Sequence, residues 1–209
     1  YLRISEFQDN TPEDLDKALD GLLRKNMEGL ILDLRNNPGG LLDVAIEVAG
    51  RFLPDGTTVL ATRGRVKSQN QEFVSRSRSP HLSFPIVILV NEGSASASEI
   101  VAGALRDHGR AILMGTKTFG KGSVQTVVPL RDGSAIRLTT SIYYTPSGQA
   151  IHGEGLQPDV SVGEPLPTAA QKRKEFPEEP EDRVVHDPLV LRAIDLLKGL
   201  KVYHQKRDL

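Results

Sequence analysis

Cysteine and tryptophan are absent from the 209 residues, methionine occurs twice, and aromatic side chains make up only 5% of the chain. Without cysteine there can be no disulfide, no thiolate metal site and no cysteine nucleophile. The compartment stays open, because a chain without thiols suits oxidising and reducing surroundings alike. Neither sign of charge is in excess: 26 Lys and Arg face 27 Asp and Glu, a formal net charge of −1, so no basic field favours nucleic acid as a partner. No apolar run approaches the roughly 20 residues of a membrane span, and no charged-then-apolar leader opens the sequence. The first residue is Tyr1 rather than Met, and Tyr1-Leu-Arg-Ile-Ser5 already alternates like a strand. The sequence therefore reads as a piece of a longer or processed protein. What is present is an ordinary soluble composition, 38% apolar and 25% charged, in a length that can close one sizeable core.

Periodicity divides the chain into alternating strands and helices. Thr11-Pro-Glu-Asp14 reads as an N-cap, a proline at the first helical position and acids in the first turn, and Leu15, Ala18, Leu19, Leu22 and Leu23 follow at helical spacing. Gly29 to Leu34 reads as a buried strand closed by the turn Arg35-Asn-Asn-Pro-Gly-Gly40. Leu42, Ala45, Ile46, Ala49 and Phe52 mark a second helix, Val59 to Val66 a strand, Pro85 to Asn91 a buried strand, Ala97 to Asp107 a helix and Ala111 to Gly115 another buried strand. Ser75-Arg-Ser-Arg-Ser79 lacks periodicity and reads as a solvated loop or part of a smaller subdomain. Val124 to Leu130 and Ser134 to Thr140, joined by Arg131-Asp-Gly133, carry a hairpin signal. The spacing predicts an α/β fold with right-handed crossovers. Three parts are expected: a core over residues 1–162, a Pro/Glu-rich, partly disordered linker over 163–188, and a C-terminal helix and tail over 189–209.

Two loops follow strands and open helices, Asn36 to Gly40 and Gly93 to Ser98, and in open α/β folds ligands collect at such junctions. The second, Gly93-Ser-Ala-Ser-Ala-Ser-Glu-Ile100, holds three serines and no bulk. A serine becomes a nucleophile only beside a base, with donors waiting for the oxyanion. None of the five histidines carries a base motif, and only His152 lies where a loop could reach a site. A lysine serves if it is desolvated and so loses its proton. Lys121 sits between Gly120 and Gly122, flanked by Phe119 and Val124, which lets backbones approach while apolar groups exclude water.

Three ordered blocks, Asp33 to Gly40, Val90 to Glu99 and Gly120 to Gln125, together with Gly153-Glu-Gly-Leu-Gln-Pro-Asp159, resemble the signature segments of the carboxyl-terminal processing peptidases, the tail-specific serine proteases. The resemblance runs from about Tyr1 to Val160. It implies a Clp-protease/crotonase-like spiral of ββα units with a small cap region and a C-terminal helix. It implies Ser96 as nucleophile, Lys121 as general base and Gln125 as the residue holding the lysine amine. The oxyanion hole would use the N–H of Ala97 and one from Gly39 or Gly40, with Gly40 preferred, and Ser94 and Ser98 would be neighbours. No metal or cofactor is implied. The implied reaction is cleavage of exported or unfolded proteins near their C-termini through an acyl-enzyme. Polypeptide C-terminal segments would be the partners, and nucleic acid would not. An upstream PDZ domain is expected in the full-length protein and a homodimer through terminal helices is compatible with it; the implied location is a bacterial periplasm or cell envelope, ahead of a plastid lumen.

Each feature alone has a plainer reading: GSASAS as a helix-packing cap, Lys121 as a surface lysine, Asp33 and Arg35 as a structural ion pair, the Arg/Ser run as a solvated loop. Two other functions compete. One is a catalytically silent module of the same fold that binds a hydrophobic ligand or peptide. The other is a crotonase-type acyl-CoA enzyme, which would need a basic nucleotide pocket and carboxylate acid/base groups that no motif supplies.

Overall fold

The structure, a computed structural model, describes residues 1–77, 84–163 and 186–207, with side chains to residue 203. Most of the Pro/Glu-rich stretch, His81 and the end of the Ser75–Ser79 run lie outside the described residues.

Five parallel strands form the central sheet in the order β1-β2-β5-β6-β9, from β1 (Leu2–Arg3), β2 (Leu30–Asp33), β5 (Ile86–Val90), β6 (Ala111–Gly115) and β9 (Val160–Ser161). Spatial order follows chain order, so right-handed crossovers put helices α1 (Thr11–Leu23), α2 (Leu42–Gly50) and α3 (Ala97–Asp107) on one face. The strand pairing sets which side chains share that face: Leu30 aligns with Ile86, and Leu32 with Ile88 and Leu113. These five, with Leu19, Val48, Val101 and Leu105 from the helices, form the main core.

The alternate row, Ile31, Val87, Leu89 and Met114, would face water without a cover, and helix α4 (Pro188–Arg207) supplies one. Val190 and Ala193 are buried against that row, with Leu189, Ile194, Leu196 and Leu197 packed around them. A valine side chain such as Val190 gains about 1.5–3 kcal/mol when fully buried. The C-terminal helix thus docks on the body of its own chain. Asp187 caps the helix by accepting the N–H of Leu189 at 2.8 Å and pairs with Arg35 at 2.8 Å. Arg35 also holds buried Asp33 through its Nε and Nη2, so the expected ion pair is present and extends to α4. The Tyr1 hydroxyl donates to Asp33 at 2.7 Å; burial and that bond push its phenol up to about 12.

The second sheet is antiparallel, in the order β4-β3-β8-β7, from β3 (Thr58–Gly64), β4 (Gln71–Val74), β7 (Ser123–Pro129) and β8 (Ala135–Tyr144). The hairpin and strand β3 fall within a few residues of expectation. Strands β4 and β9 were not expected: β4 is mostly exposed and its two polar residues precede its two apolar ones, and β9 is two residues long, so neither carries an apolar alternation to read. Helix α3 lies between the two sheets, and its residues Ala97 to Leu105 are all buried. That position explains its small side chains. A Cβ on Gly103 would come within 2.8 Å of Thr145 Cγ2.

Candidate active site

Strands β2, β5 and β6 end on the same edge of the parallel sheet, and the three loops that leave them interlock there. Ser96, the N-cap of α3, has φ +55° and ψ −115°, a region that side chains other than glycine rarely adopt. Such a conformation costs about 1–3 kcal/mol and persists only where its surroundings impose it. The three serines of the segment have three separate settings. Ser94 Oγ donates to Leu34 O at 2.8 Å and accepts the Asn91 N–H, locking the loop onto the end of β2. Ser98 Oγ donates to Asn37 O at 3.0 Å. Ser96 alone is partly open to solvent; Ser94 and Ser98 are fully buried.

The glycine turn lies directly against Ser96. A Cβ on Gly39 would meet Ser96 Cβ at 2.7 Å and Ala97 N at 3.0 Å, and one on Gly40 would strike Phe7 O at 2.1 Å. Both positions require φ values, +107° and +145°, suited to glycine. Buried Asn37 holds the turn: its amide donates to Ile4 O at 2.7 Å, and its Oδ1 accepts the Gly39 N–H at 2.9 Å. Asn91 Oδ1 accepts the Asn36 N–H at 2.8 Å. Among the described residues, no acceptor takes the N–H of Gly40 or of Ala97.

The loop after β6 reaches the same place. Phe119 N–H donates to Ser94 O at 3.0 Å. The segment Ile151–Gly155 backs the loop: Gly153 N–H donates to Gly120 O at 2.9 Å, Leu156 N–H donates to Thr118 Oγ1 at 2.7 Å, and a Cβ on Gly122 would be 2.6 Å from His152 N. The close backbone approach expected of the two glycines is therefore seen. The exclusion of water is not: the Lys121 side chain is exposed, as is Phe119 at 66%. Among the described residues the Lys121 amine makes no hydrogen bond or ion pair. Gln125 lies four residues on, exposed, beyond a register shift in β7, and pairs with Thr139. The apolar flanks of Lys121 come from sequence neighbours, which cannot show whether the loop turns them inward.

At the far end of α3, Asp107 is almost enclosed, its side chain 5% exposed, and accepts the Ser147 N–H at 2.9 Å and Arg106 at 2.9 Å. Burial alone would raise its carboxyl, but hydrogen bonds from Thr145, Ser147 and Arg106 outweigh that and hold it below the ordinary carboxylate value.

The sequence profile of peptidase family S41 matches residues 1–162. The chain belongs to peptidase family S41. It is 50% identical over 171 residues to the carboxy-terminal-processing protease of Bartonella bacilliformis, which covers 80% of this chain and 39% of that one. It is 43% identical over 171 residues to the carboxyl-terminal-processing protease of Synechocystis, covering 82% and 39%. Among solved structures, a photosystem II D1 C-terminal processing protease is similar with a TM-score of 0.75 and 34% identity, over 90% of this chain and 46% of that one. The tricorn protease is alike in fold alone, with 21% identity and a TM-score of 0.54 over 96% of this chain and 18% of that one. This S41 chain thus spans about two fifths of the length of these curated relatives. The α/β, Clp-protease-like fold is the one the resemblance implied.

Two residues beside the candidate site, Glu99 and Asn37, and one at the far end of α3, Asp107, escaped the sequence reading. Glu99 had a legible signal: Ser96-Ala-Ser-Glu99 is a Ser-x-x-Glu capping box, and that box forms. Asn37 and Asp107 had no such signal: apart from nearby Gly39 and Arg106, their partners lie 33 to 61 and 40 residues away.

Proposed function

We propose that this chain carries the catalytic part of a serine endopeptidase in which Ser96 is the nucleophile and Lys121 the general base. The observation that carries the reading is a strained, partly exposed Ser96 against the glycine turn, with the N–H groups of Gly40 and Ala97 lacking an acceptor among the described residues. Gly39 N–H is already engaged by Asn37, which supports Gly40 over Gly39 as the second donor.

Neutral Lys121 Nζ takes the proton of Ser96 Oγ as that oxygen bonds to the scissile carbonyl carbon. The carbonyl oxygen becomes an oxyanion that accepts from the Ala97 and Gly40 N–H groups, donors already held in place before charge develops. The C–N bond breaks, and the lysine ammonium gives its proton to the leaving amine, freeing one product and leaving an ester on Ser96. Water then attacks the ester, Lys121 takes a proton from it, and that proton returns to Ser96 Oγ as the acid product departs. A bound polypeptide over the exposed amine supplies the desolvation that favours its neutral form, and Gln125 orients it. Among the described residues, no cluster of His, Asp and Glu could hold a metal.

The substrates are polypeptides cut near their C-termini, in keeping with relatives named carboxy-terminal-processing proteases. An upstream PDZ domain would present those tails, and the terminal helices would pair two copies. Relatives include a chloroplastic peptidase as well as bacterial proteases, which supports an exported or lumenal location, with the bacterial envelope first. Among the described residues no helix is long and apolar enough to cross a membrane.

Casein cleavage by the intact chain beside Ser96→Ala and Lys121→Ala, with products read by mass spectrometry, tests the reading. Both variants should lose cleavage while keeping the fold. Cleavage that survives Ser96→Ala removes the mechanism, and an intact chain that stays silent with an upstream PDZ segment restored selects the peptide-binding module instead.

A further inference from the structure

Glu99 is fully buried, at 0% exposure, and no cation pairs with it among the described residues. Its carboxylate instead collects four donors. Oε2 accepts the N–H of Ser96 at 2.9 Å and the N–H of Lys121 at 2.8 Å. Oε1 accepts the Thr118 hydroxyl at 2.6 Å and the Gly120 N–H at 2.7 Å. Four donors and no acceptor match the acceptor-only chemistry of an ionised carboxylate, and its place in the first turn of α3 sets it in the favourable field of the helix N-terminus.

A capping box needs only the first of these bonds. The other three reach 19 to 22 residues along the chain, into the loop after β6. One oxygen atom thereby joins the backbone of Ser96 to the backbone of Lys121, and the two nitrogens cannot be farther apart than the sum of its two bonds. Among the described residues, Lys121 itself offers no side-chain bond that would hold its loop. The flexible lysine stem samples space from a fixed root, and Glu99 fixes that root.

We propose that Glu99 is the positioning residue of the site: its buried carboxylate sets the separation of nucleophile and base by binding both backbones at once. The proposal rests on the Ser96 and Lys121 roles given above. Glu99 touches no substrate, so its removal should act on the chemical step and leave substrate affinity alone.

Glu99→Gln keeps the shape and changes the bonding. Whichever way its amide turns, the NH2 faces one donor pair. The Thr118 hydroxyl can rotate to accept and a backbone N–H cannot, so the amide settles toward Thr118 and releases Gly120. Kinetics on a fluorogenic casein-derived peptide should show kcat reduced by about tenfold or more with KM within about twofold, since misplacement of about 1 Å costs up to about a hundredfold. Amide hydrogen exchange should rise by about tenfold or more at Gly120, the residue that leads into Lys121, and stay slow in the middle of α3.

Faster exchange with kcat within about twofold overturns the proposal, as does unchanged exchange with reduced kcat. Loss of protection throughout α3 also overturns it, since that marks a merely structural glutamate. If Glu99→Gln fails to fold, Thr118→Val removes one donor and should lower kcat by about threefold or more, with Thr118→Ser restoring it; a Thr118→Val enzyme at full kcat counts against the clamp. An unaltered chain that does not cleave, or a Ser96→Ala chain that does, overturns the underlying reading and this one with it. Glu99→Gln at full activity beside a dead Ser96→Ala overturns this one alone.

Discussion

Replacing Gly39 by alanine places one methyl group where the glycine turn and the Ser96 loop touch, and its cost can be worked from the geometry. The added Cβ lies 2.7 Å from Ser96 Cβ, 2.8 Å from Ala95 O and 3.0 Å from Ala97 N. Carbon atoms in contact prefer about 3.5–4.0 Å, so roughly 1 Å has to be found. It cannot come from the turn, because Asn37 pins it through Gly39 N–H and Ile4 O. Nor can it come freely from the serine loop, which Ser94 and Ser98 bind to Leu34 O and Asn37 O. Overpacking of this kind costs about 1–3 kcal/mol, and an alanine held at φ +107° costs about 1–3 kcal/mol more. Urea unfolding should therefore show a loss of about 2–6 kcal/mol, which leaves most domains folded at room temperature. The folded fraction should cleave casein about a hundredfold more slowly, because the displaced atoms are Ser96 and the neighbouring N–H groups. Gly21→Ala is the internal control: it lies in α1 with nothing within 4 Å of the added atom, so stability should stay level or rise by up to about 1 kcal/mol. A Gly39→Ala protein within about 0.5 kcal/mol of the unaltered one and cleaving within about twofold of it refutes the reasoning.

Ser96→Gly and Ser96→Ala should both abolish cleavage, yet the glycine variant should be the more stable by about 1 kcal/mol, because only glycine relaxes at φ +55°, ψ −115°. Paired urea curves measure this, and equal midpoints would mean that the conformation stores no strain. Asp107 titrates lower in the folded chain than its ordinary value of 3.8, so the unfolded state binds the proton more tightly. Its stabilisation is complete above that ordinary value and is lost as pH falls through the lower folded one. Asp107→Asn should thus be the less stable protein at neutral pH and lose less stability on acidification below about pH 4; parallel stability curves for the two proteins across that range would sink the assignment.

Local pattern carried the sequence reading a long way, and its failures have identifiable causes. Helix α3 was expected over the residues where it occurs, Ala97–Asp107, because its cap and its apolar positions are local signals. The position of Ser96 at a strand-to-helix junction was legible for the same reason, as was the turn at Gly39 and Gly40. Strand β4 was missed because an exposed edge needs no apolar period, and β9 because two residues hold none. Lys121 lies in the loop after β6 that meets the Ser96 segment, but without the cover that its flanking apolar residues suggest, because Phe119 turns to solvent.

Hydrophobic period, turn glycines and three motif blocks are properties of neighbouring residues, so the sequence by itself determined the α/β alternation, the loops that bear the site and the family to which the chain belongs. Contacts between distant segments are set by how the sheets and helices pack. Only the tertiary structure decided that Glu99 binds Ser96 and Lys121 together, that Asn37 takes the Gly39 N–H while that of Gly40 has no acceptor among the described residues, and that α4 covers the second face of the parallel sheet. The physical reason is that a buried polar group must find its partners wherever the fold brings them, and residue spacing along the chain does not record where that is.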